Sequence, residues 1–318
     1  MRKLCVWALL LVLIMAMTGC KNTEKVEGKI VDGKEVIAKV NDEYILKSDY
    51  DRQVALIKSA LEANGQDFST AEGKKVLQAI KETVLESMID DQVILWQAGK
   101  NNITLDDEEF NEAISQLEQY HGGKDALETY LKQQGLDRES FEAQVKDQLI
   151  INKFREKLTQ DVKVTEDEVK KYYEENKKMF ELPSKEIRAS HILVDTEEEA
   201  KELLAQIKAG ADFAELAKKY SKDPGSKDQG GDLGYFSKGK MVPEFEKAAF
   251  ALKPGSVSDV VKSEYGYHII KVTGERTSLS FDDAKDYIKS NLENAKKDEE
   301  FAKHVEKWKK ESRIEKYI

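Results

Sequence analysis

Ala189-Ser190-His191-Ile192-Leu193-Val194 and Tyr265-Gly266-Tyr267-His268-Ile269-Ile270-Lys271-Val272 are the two runs whose reading decides the fold. Each is short, rich in β-branched and aliphatic residues, and bounded by polar or glycine-rich sequence, so each predicts a strand carrying one histidine. Between them, helical spacing covers 196–209 and 213–220. A glycine-rich stretch follows, Gly230-Gly231-Asp232-Leu233-Gly234-Tyr235-Phe236. Then come Met241-Val242-Pro243-Glu244-Phe245, a helical pattern over 245–252 and the turn Lys253-Pro254-Gly255. One strand, helices, a strand, a helix and two closing strands predict a compact α+β unit of about 90 residues, an ordinary domain size. A lone strand histidine is most often a core residue with satisfied ring nitrogens. Two of them on two strands, with an apolar segment between, point to a site.

The whole chain, 318 residues, is long for one domain and comfortable for two. Its charged fraction is 35% and its formal net charge −10. That balance, with no basic cluster interleaved with aromatics, argues against a nucleic-acid partner. Arg2 and Lys3 precede an apolar stretch over 4–17 that is too short and too early for an ordinary spanning helix. The stretch ends in Met17-Thr18-Gly19-Cys20, which resembles the lipobox of bacterial lipoproteins, with Met17 where Leu is usual. The resemblance implies a signal over 1–19, a lipid on Cys20 and anchorage on the outer, extracytoplasmic face of a bacterial cell membrane. Cys5 would leave with the signal, so the mature chain would hold no free thiol for a disulfide, a thiolate nucleophile or a zinc–cysteine site. No cofactor and no metal are expected.

Residues 20–34 are mostly polar and read as a flexible tether. Val36-Ile37-Ala38-Lys39-Val40 and Tyr44-Ile45-Leu46 predict a hairpin through Asn41-Asp42. Helices follow. Tyr50, Val54, Ile57 and Leu61 keep three-to-four spacing, and Ser69-x-x-Glu72 has the capping-box pattern ahead of a long helix. Asp137 is an N-cap candidate, and Thr165-x-x-Glu168 caps a linker helix that Leu182-Pro183-Ser184 ends. Ser280-x-x-Asp283 opens a helical tail whose stripe of Phe281, Ile288, Leu292, Phe301, Val305 and Trp308 must pack on something. The expected domains are 35–182, 183–275 and 276–318, with the tail packing on the N-terminal helices.

Five motifs in one order give the central unit its likeness. They are the first-strand His191, the Gly231-Asp232-Leu233-Gly234 turn, the Met241…Pro243-x-Phe245 segment, Phe250 and the closing Gly266-x-His268-Ile269-Ile270 strand. Together they resemble the parvulin family of peptidyl-prolyl cis/trans isomerases over roughly 185–275. The hairpin, helices and tail resemble the SurA-like region of secreted foldases, and the overall order is similar to the foldase lipoproteins of the PrsA type. The resemblance implies an α+β fold in which a parvulin domain, a small antiparallel sheet with surrounding helices, is inserted into a largely α-helical chaperone-like domain. It implies prolyl isomerase activity on unfolded or partly folded exported polypeptides. A homodimer through the N-terminal region is left open, and so is a binding chaperone whose parvulin unit is catalytically idle.

By the same resemblance His191, Asp223 and His268 are the polar catalytic candidates. Leu233, Met241 and Phe245 line a proline socket, and Ser263 and Tyr265 contact substrate. Phe236 and Phe250 read as core. Asp223, in Ser221-Lys222-Asp223-Pro224, has two roles open to it: repelling the carbonyl oxygen of a planar amide, or tuning the histidine pair. Hydrolysis is disfavoured, because neither a cysteine nucleophile nor a serine-centred motif is present. Parvulins that prefer phosphorylated Ser/Thr before proline use basic residues after the first strand. Here that segment is Asp195-Thr196-Glu197-Glu198-Glu199, so no dependence on phosphate is expected.

Overall fold

A computed structural model describes residues 29–317. The expected signal, Cys20 and most of the tether lie outside the described residues. The chain forms two compact units: one runs up to Asp161 and resumes at Lys297, and the other is Val162–Lys296.

In the first unit, strands β1 (Lys29–Val31), β2 (Lys34–Val40) and β3 (Glu43–Leu46) form an antiparallel sheet. The expected hairpin is β2–β3. The tether expected over 20–34 is corrected at its end, because β1 turns into β2 through Asp32 and Gly33, both left-handed. A C-terminal strand β8 (Ile314–Lys316) pairs with the later part of β2, Val40 opposite Ile314. The cause lies in β2: Val36, Ile37, Ala38 and Val40 are buried, so the backbone groups on its edge need partners, and β1 and β8 supply them.

Helices α1 (Lys47–Ala63), α2 (Ala71–Lys100), α3 (Asp107–Tyr120), α4 (Lys124–Gln133) and α5 (Arg138–Leu158) follow. Asp137 caps α5 as expected. The cap of α2 is Thr70, whose hydroxyl accepts the Gly73 N–H at 2.9 Å, rather than Ser69. Ser69 is taken up in a turn, its N–H donating to Asp67 Oδ1. The core gathers Ile80, Val84, Ile89 and Val93 of α2, Val54 of α1 and Phe154 of α5. Val305 and Trp308 join it from the tail helix α10 (Phe281–Glu311).

The second unit opens with α6 (Glu166–Glu175), capped by Thr165 and Glu168 in a reciprocal box. Its sheet runs in the order β5 (Asp232–Ser237), β4 (Glu181–Val194), β7 (Gly266–Ser278), β6 (Val261–Ser263), antiparallel throughout. Strand β4 starts earlier than expected and takes in Leu182-Pro183-Ser184. The register with β7 slips between Glu181 and Glu186, where Pro183 has no N–H to give the ladder. Period-two alternation sorts the side chains. Ile192, Val194 and Ile269 face α7 (Glu197–Lys208) and α8 (Phe213–Tyr220), while Ile187, Ala189, Ile270 and Val272 face α9 (Pro243–Ala251).

The tail divides its allegiance. Its later part packs in the first unit, but Ala284 and Ile288 pack with Val164, Val169 and Phe180 in the second. Sequence predicted one partner for the whole segment 276–318. A continuous stripe shows that a helix is covered and is silent on whether one core covers it.

Candidate active site

Antiparallel pairing of β4 and β7 sets His191 opposite Ile270 and Leu193 opposite His268. The two histidines are therefore diagonal neighbours on the face turned to α9. Their Nδ1 atoms lie 3.2 Å apart, and both side chains are buried. The Phe245 ring stands edge-on to each, at 5.6 Å from His191 and 5.4 Å from His268.

Outward from this pair runs a chain of polar contacts. His191 Nε2 is 2.8 Å from Asp223 Oδ2, and His268 Nε2 is 2.7 Å from Ser263 Oγ. The Gly225 N–H donates to Asp223 Oδ1. The Ser226 hydroxyl donates to Asp223 Oδ2 and also lies 3.2 Å from His191 Nε2. Tautomers can be assigned so that every ring nitrogen has a partner. Ser263 O–H donates to His268 Nε2, His268 Nδ1–H to His191 Nδ1, and His191 Nε2–H to an ionised Asp223. Two imidazoles then separate a hydroxyl from a carboxylate. The network has no place for a proton on both Nδ1 atoms, since two N–H groups would face each other at 3.2 Å.

Charge follows the same logic. Burial pushes the Asp223 carboxyl up, but the hydrogen bonds from Ser226, His191 and the Gly225 amide outweigh it and hold the group at about 2. Burial pulls His268 down to about 4; the neighbouring His191 adds to this, and Asp223 opposes it. At neutral pH the site thus presents a carboxylate backed by an uncharged His268.

The carboxylate opens on a cleft of about 430 Å³. His191, Asp223, Leu233, Met241, Phe245, Tyr265 and His268 line it, as the sequence led us to expect. Leu193, Pro224, Lys240 and Val242 complete the wall. Phe236 is core, packed on Phe245, and Phe250 packs beside it. Ser263 departs from expectation. It is not among the lining residues, and its hydroxyl is occupied by His268 and by the Tyr265 N–H. Ser226 escaped the sequence reading. The available signal was its place three residues after Asp223 in a Pro-Gly turn, where a hydroxyl meets the carboxylate that starts the turn. Among the described residues, no three His, Cys, Asp or Glu side chains are grouped so as to hold a metal ion.

Backbone geometry locks the parts together. The His191 N–H donates to the Gly231 carbonyl, and the Gly231 N–H donates to the Ser226 carbonyl, each at 2.8 Å. Gly231 sits at φ +83°, and a Cβ there would come within 2.2 Å of the His191 carbonyl oxygen. The residue must be glycine for the Ser226 turn to close on the histidine strand.

Sheet, cleft and polar chain define the class: a parvulin-type peptidyl-prolyl cis/trans isomerase. The family model for the PPIC-type PPIase domain matches residues 168–276, and that for the SurA-like N-terminal domain matches 1–155. The Foldase protein PrsA of Clostridium botulinum (strain Hall) is 38% identical over 320 residues, covering 96% of this chain and 94% of that protein. The crystal structure of peptidylprolyl isomerase (PrsA) from Bacillus anthracis is 38% identical, covers 71% of this chain and 96% of that one, and superposes with a TM-score of 0.31. The parvulin of Nitrosopumilus maritimus is 52% identical over 29% of this chain and all of its own, with a TM-score of 0.28. The chain belongs to the PrsA foldase family. It is a peptidyl-prolyl isomerase and foldase.

Proposed function

We propose that this foldase rotates X–Pro bonds of exported polypeptides at the outer face of a bacterial membrane, held there by a lipid on Cys20, and that Asp223, His191 and His268 carry the catalysis. One observation carries the catalytic reading: an ionised carboxylate, backed by a histidine pair with no place for a second charge, opens on an otherwise mostly apolar cleft.

The reaction makes no covalent bond to the protein. Amide resonance holds the X–Pro bond planar behind a barrier of ~18–20 kcal/mol. Uncatalysed exchange takes roughly tens to hundreds of seconds. Planarity puts negative charge on the carbonyl oxygen; twisting returns the electron pair to nitrogen, which becomes pyramidal. Leu233, Met241 and Phe245 seat the proline ring and exclude water, so charges in the cleft act through a low dielectric. Asp223, facing the carbonyl, repels the planar amide more than the twisted one and lowers the barrier between them. A cationic His268 would weaken that repulsion; the buried, uncharged His268 leaves it intact.

Substrate preference follows from the sequence after β4. Asp195, Glu197, Glu198 and Glu199 crowd that segment, and Lys201 is paired with Glu197. A phosphate there would meet carboxylates whose neighbouring lysines, Lys201 and Lys222, are already paired with Glu197 and Asp195. Lys240 on the cleft wall is a single point charge without arginine's bidentate fork. Exchange rates of matched Leu-Pro, Ser-Pro and phospho-Ser-Pro peptides test this. The two unmodified peptides should turn over at least as well as the phosphopeptide, and a marked preference for phosphate would contradict the reading. For the anchor, Cys20→Ala should abolish incorporation of labelled fatty acid; undiminished labelling would rule the anchor out.

A further inference from the structure

We infer that Ser226 is a positioning residue for the isomerisation, its hydroxyl clamping the Asp223 carboxylate in the orientation that both faces the cleft and receives the His191 proton. The inference rests on the catalytic reading of Asp223 given above and adds to it a residue that touches no substrate.

Three observations carry it. Ser226 is 2% exposed and is not among the residues lining the cleft, so its hydroxyl has no outward task. That hydroxyl donates to the same carboxylate oxygen, Oδ2, that receives the His191 Nε2 proton, and it stands 3.2 Å from that nitrogen. Its backbone is fixed in turn. The Ser226 carbonyl accepts the Gly231 and Gln229 N–H groups, and Gly231 passes the constraint on to the His191 backbone.

The geometry explains what a third donor adds to His191 and the Gly225 N–H. Asp223 sits in a short turn with 24% of its side chain exposed, so the carboxylate has room to rotate toward solvent. His191 meets Oδ2 by one bond, and the Gly225 N–H, a backbone donor of the same exposed turn, meets Oδ1 at 3.2 Å. Ser226 adds a buried donor to the oxygen that His191 meets, so that oxygen is held from the protein side by two side chains. Removing the hydroxyl subtracts one charge-assisted hydrogen bond, which both loosens the carboxylate and makes it easier to protonate.

The test compares the full chain with Ser226→Ala, Ser226→Cys, Ser226→Thr and Asp223→Ala. Three quantities are measured: cis/trans exchange of a Leu-Pro peptide by NMR, the titration midpoint of the Asp223 carboxyl carbon, and the melting temperature. For Ser226→Ala we expect exchange to slow by about five- to tenfold and the Asp223 midpoint to rise by about one pH unit, with melting little changed. The near-isosteric Ser226→Cys, a weak donor, should do the same, and it decides the matter if the alanine variant does not fold. Ser226→Thr, which keeps the hydroxyl, should recover most of the loss. An unmoved midpoint overturns the inference, as does a moved midpoint with unchanged exchange, or slower exchange that only follows a loss of melting temperature. If Asp223→Ala itself exchanges at the unsubstituted rate, the catalytic reading fails first, and this inference with it.

Discussion

At the scale of single residues, the site works by holding charges apart from protons. His268 is the clearest case, because burial lowers its affinity for a proton well below that of a free imidazole, to about 4. The unfolded chain therefore binds a proton at this position that the folded chain refuses. That contribution to stability is intact above pH 6.5, the ordinary histidine value, and is lost as pH falls from 6.5 through about 4. Asp223, held at about 2, adds its own loss only below its ordinary value of 3.8. Melting temperature should accordingly fall between pH 6.5 and 4, and His268→Leu should flatten part of that fall. An identical slope in the variant would mean that His268 is not held neutral. The histidines, the cleft-lining Met241 and Phe245 and the glycine turn were legible in the sequence because their order is characteristic. Ser226 was not, since a serine in an Asp-Pro-Gly-Ser turn looks like ordinary turn chemistry until a strand brings His191 over it.

At the scale of elements, the isomerase sheet depends on register. A one-residue slip of β7 against β4 would send His268 to the α7–α8 face and put Ile269 in the cleft. The alternation of Ile269, Ile270 and Val272 between two apolar cores prevents it. Elements with strong patterns, such as α2, α5 and α7, were readable from spacing alone. The three-residue strands β1 and β8 carry no pattern of their own; they exist because β2 has an edge to satisfy. Helix α10 shows how far a pattern goes. Trp308, near its end, stacks on Phe154 of α5 at 5.4 Å with the rings 8° from parallel. Lys309 beside it pairs with Glu86 and Asp90 of α2. Trp308→Ala should cost the first unit ~3–5 kcal/mol, the usual range for truncating a buried tryptophan. Calorimetry should place that loss in one transition and leave the transition of residues 162–296 where it was. A shift of the latter would mean that α10 serves the two units differently from the packing described.

At the scale of the whole molecule, each unit has a hydrophobic core of its own, and the constellation we propose for catalysis belongs entirely to residues 162–296. The excess of carboxylates keeps the surface unsuited to polyanions and compatible with an extended, neutral polypeptide. The interleaving of domains in sequence, helices before and after the isomerase, was legible from the order of motifs. The split of the tail between two cores was not, because hydrophobic spacing marks a buried face without naming its partner. The central claim is that the cleft beside Asp223 performs the rotation. Its most direct test is NMR exchange of a Leu-Pro peptide by the full chain, unsubstituted and as Met241→Ala and Asp223→Ala, with melting curves alongside. We predict that each substitution slows exchange by about tenfold or more. Met241→Ala should leave the melting temperature of the isomerase unit nearly fixed, because its side chain borders an open cleft. Asp223→Ala, which also removes the acceptor of three hydrogen bonds, should slow exchange at temperatures where the unit is still fully folded. Exchange at the unsubstituted rate in both variants, or slowing that only tracks unfolding, would contradict the account.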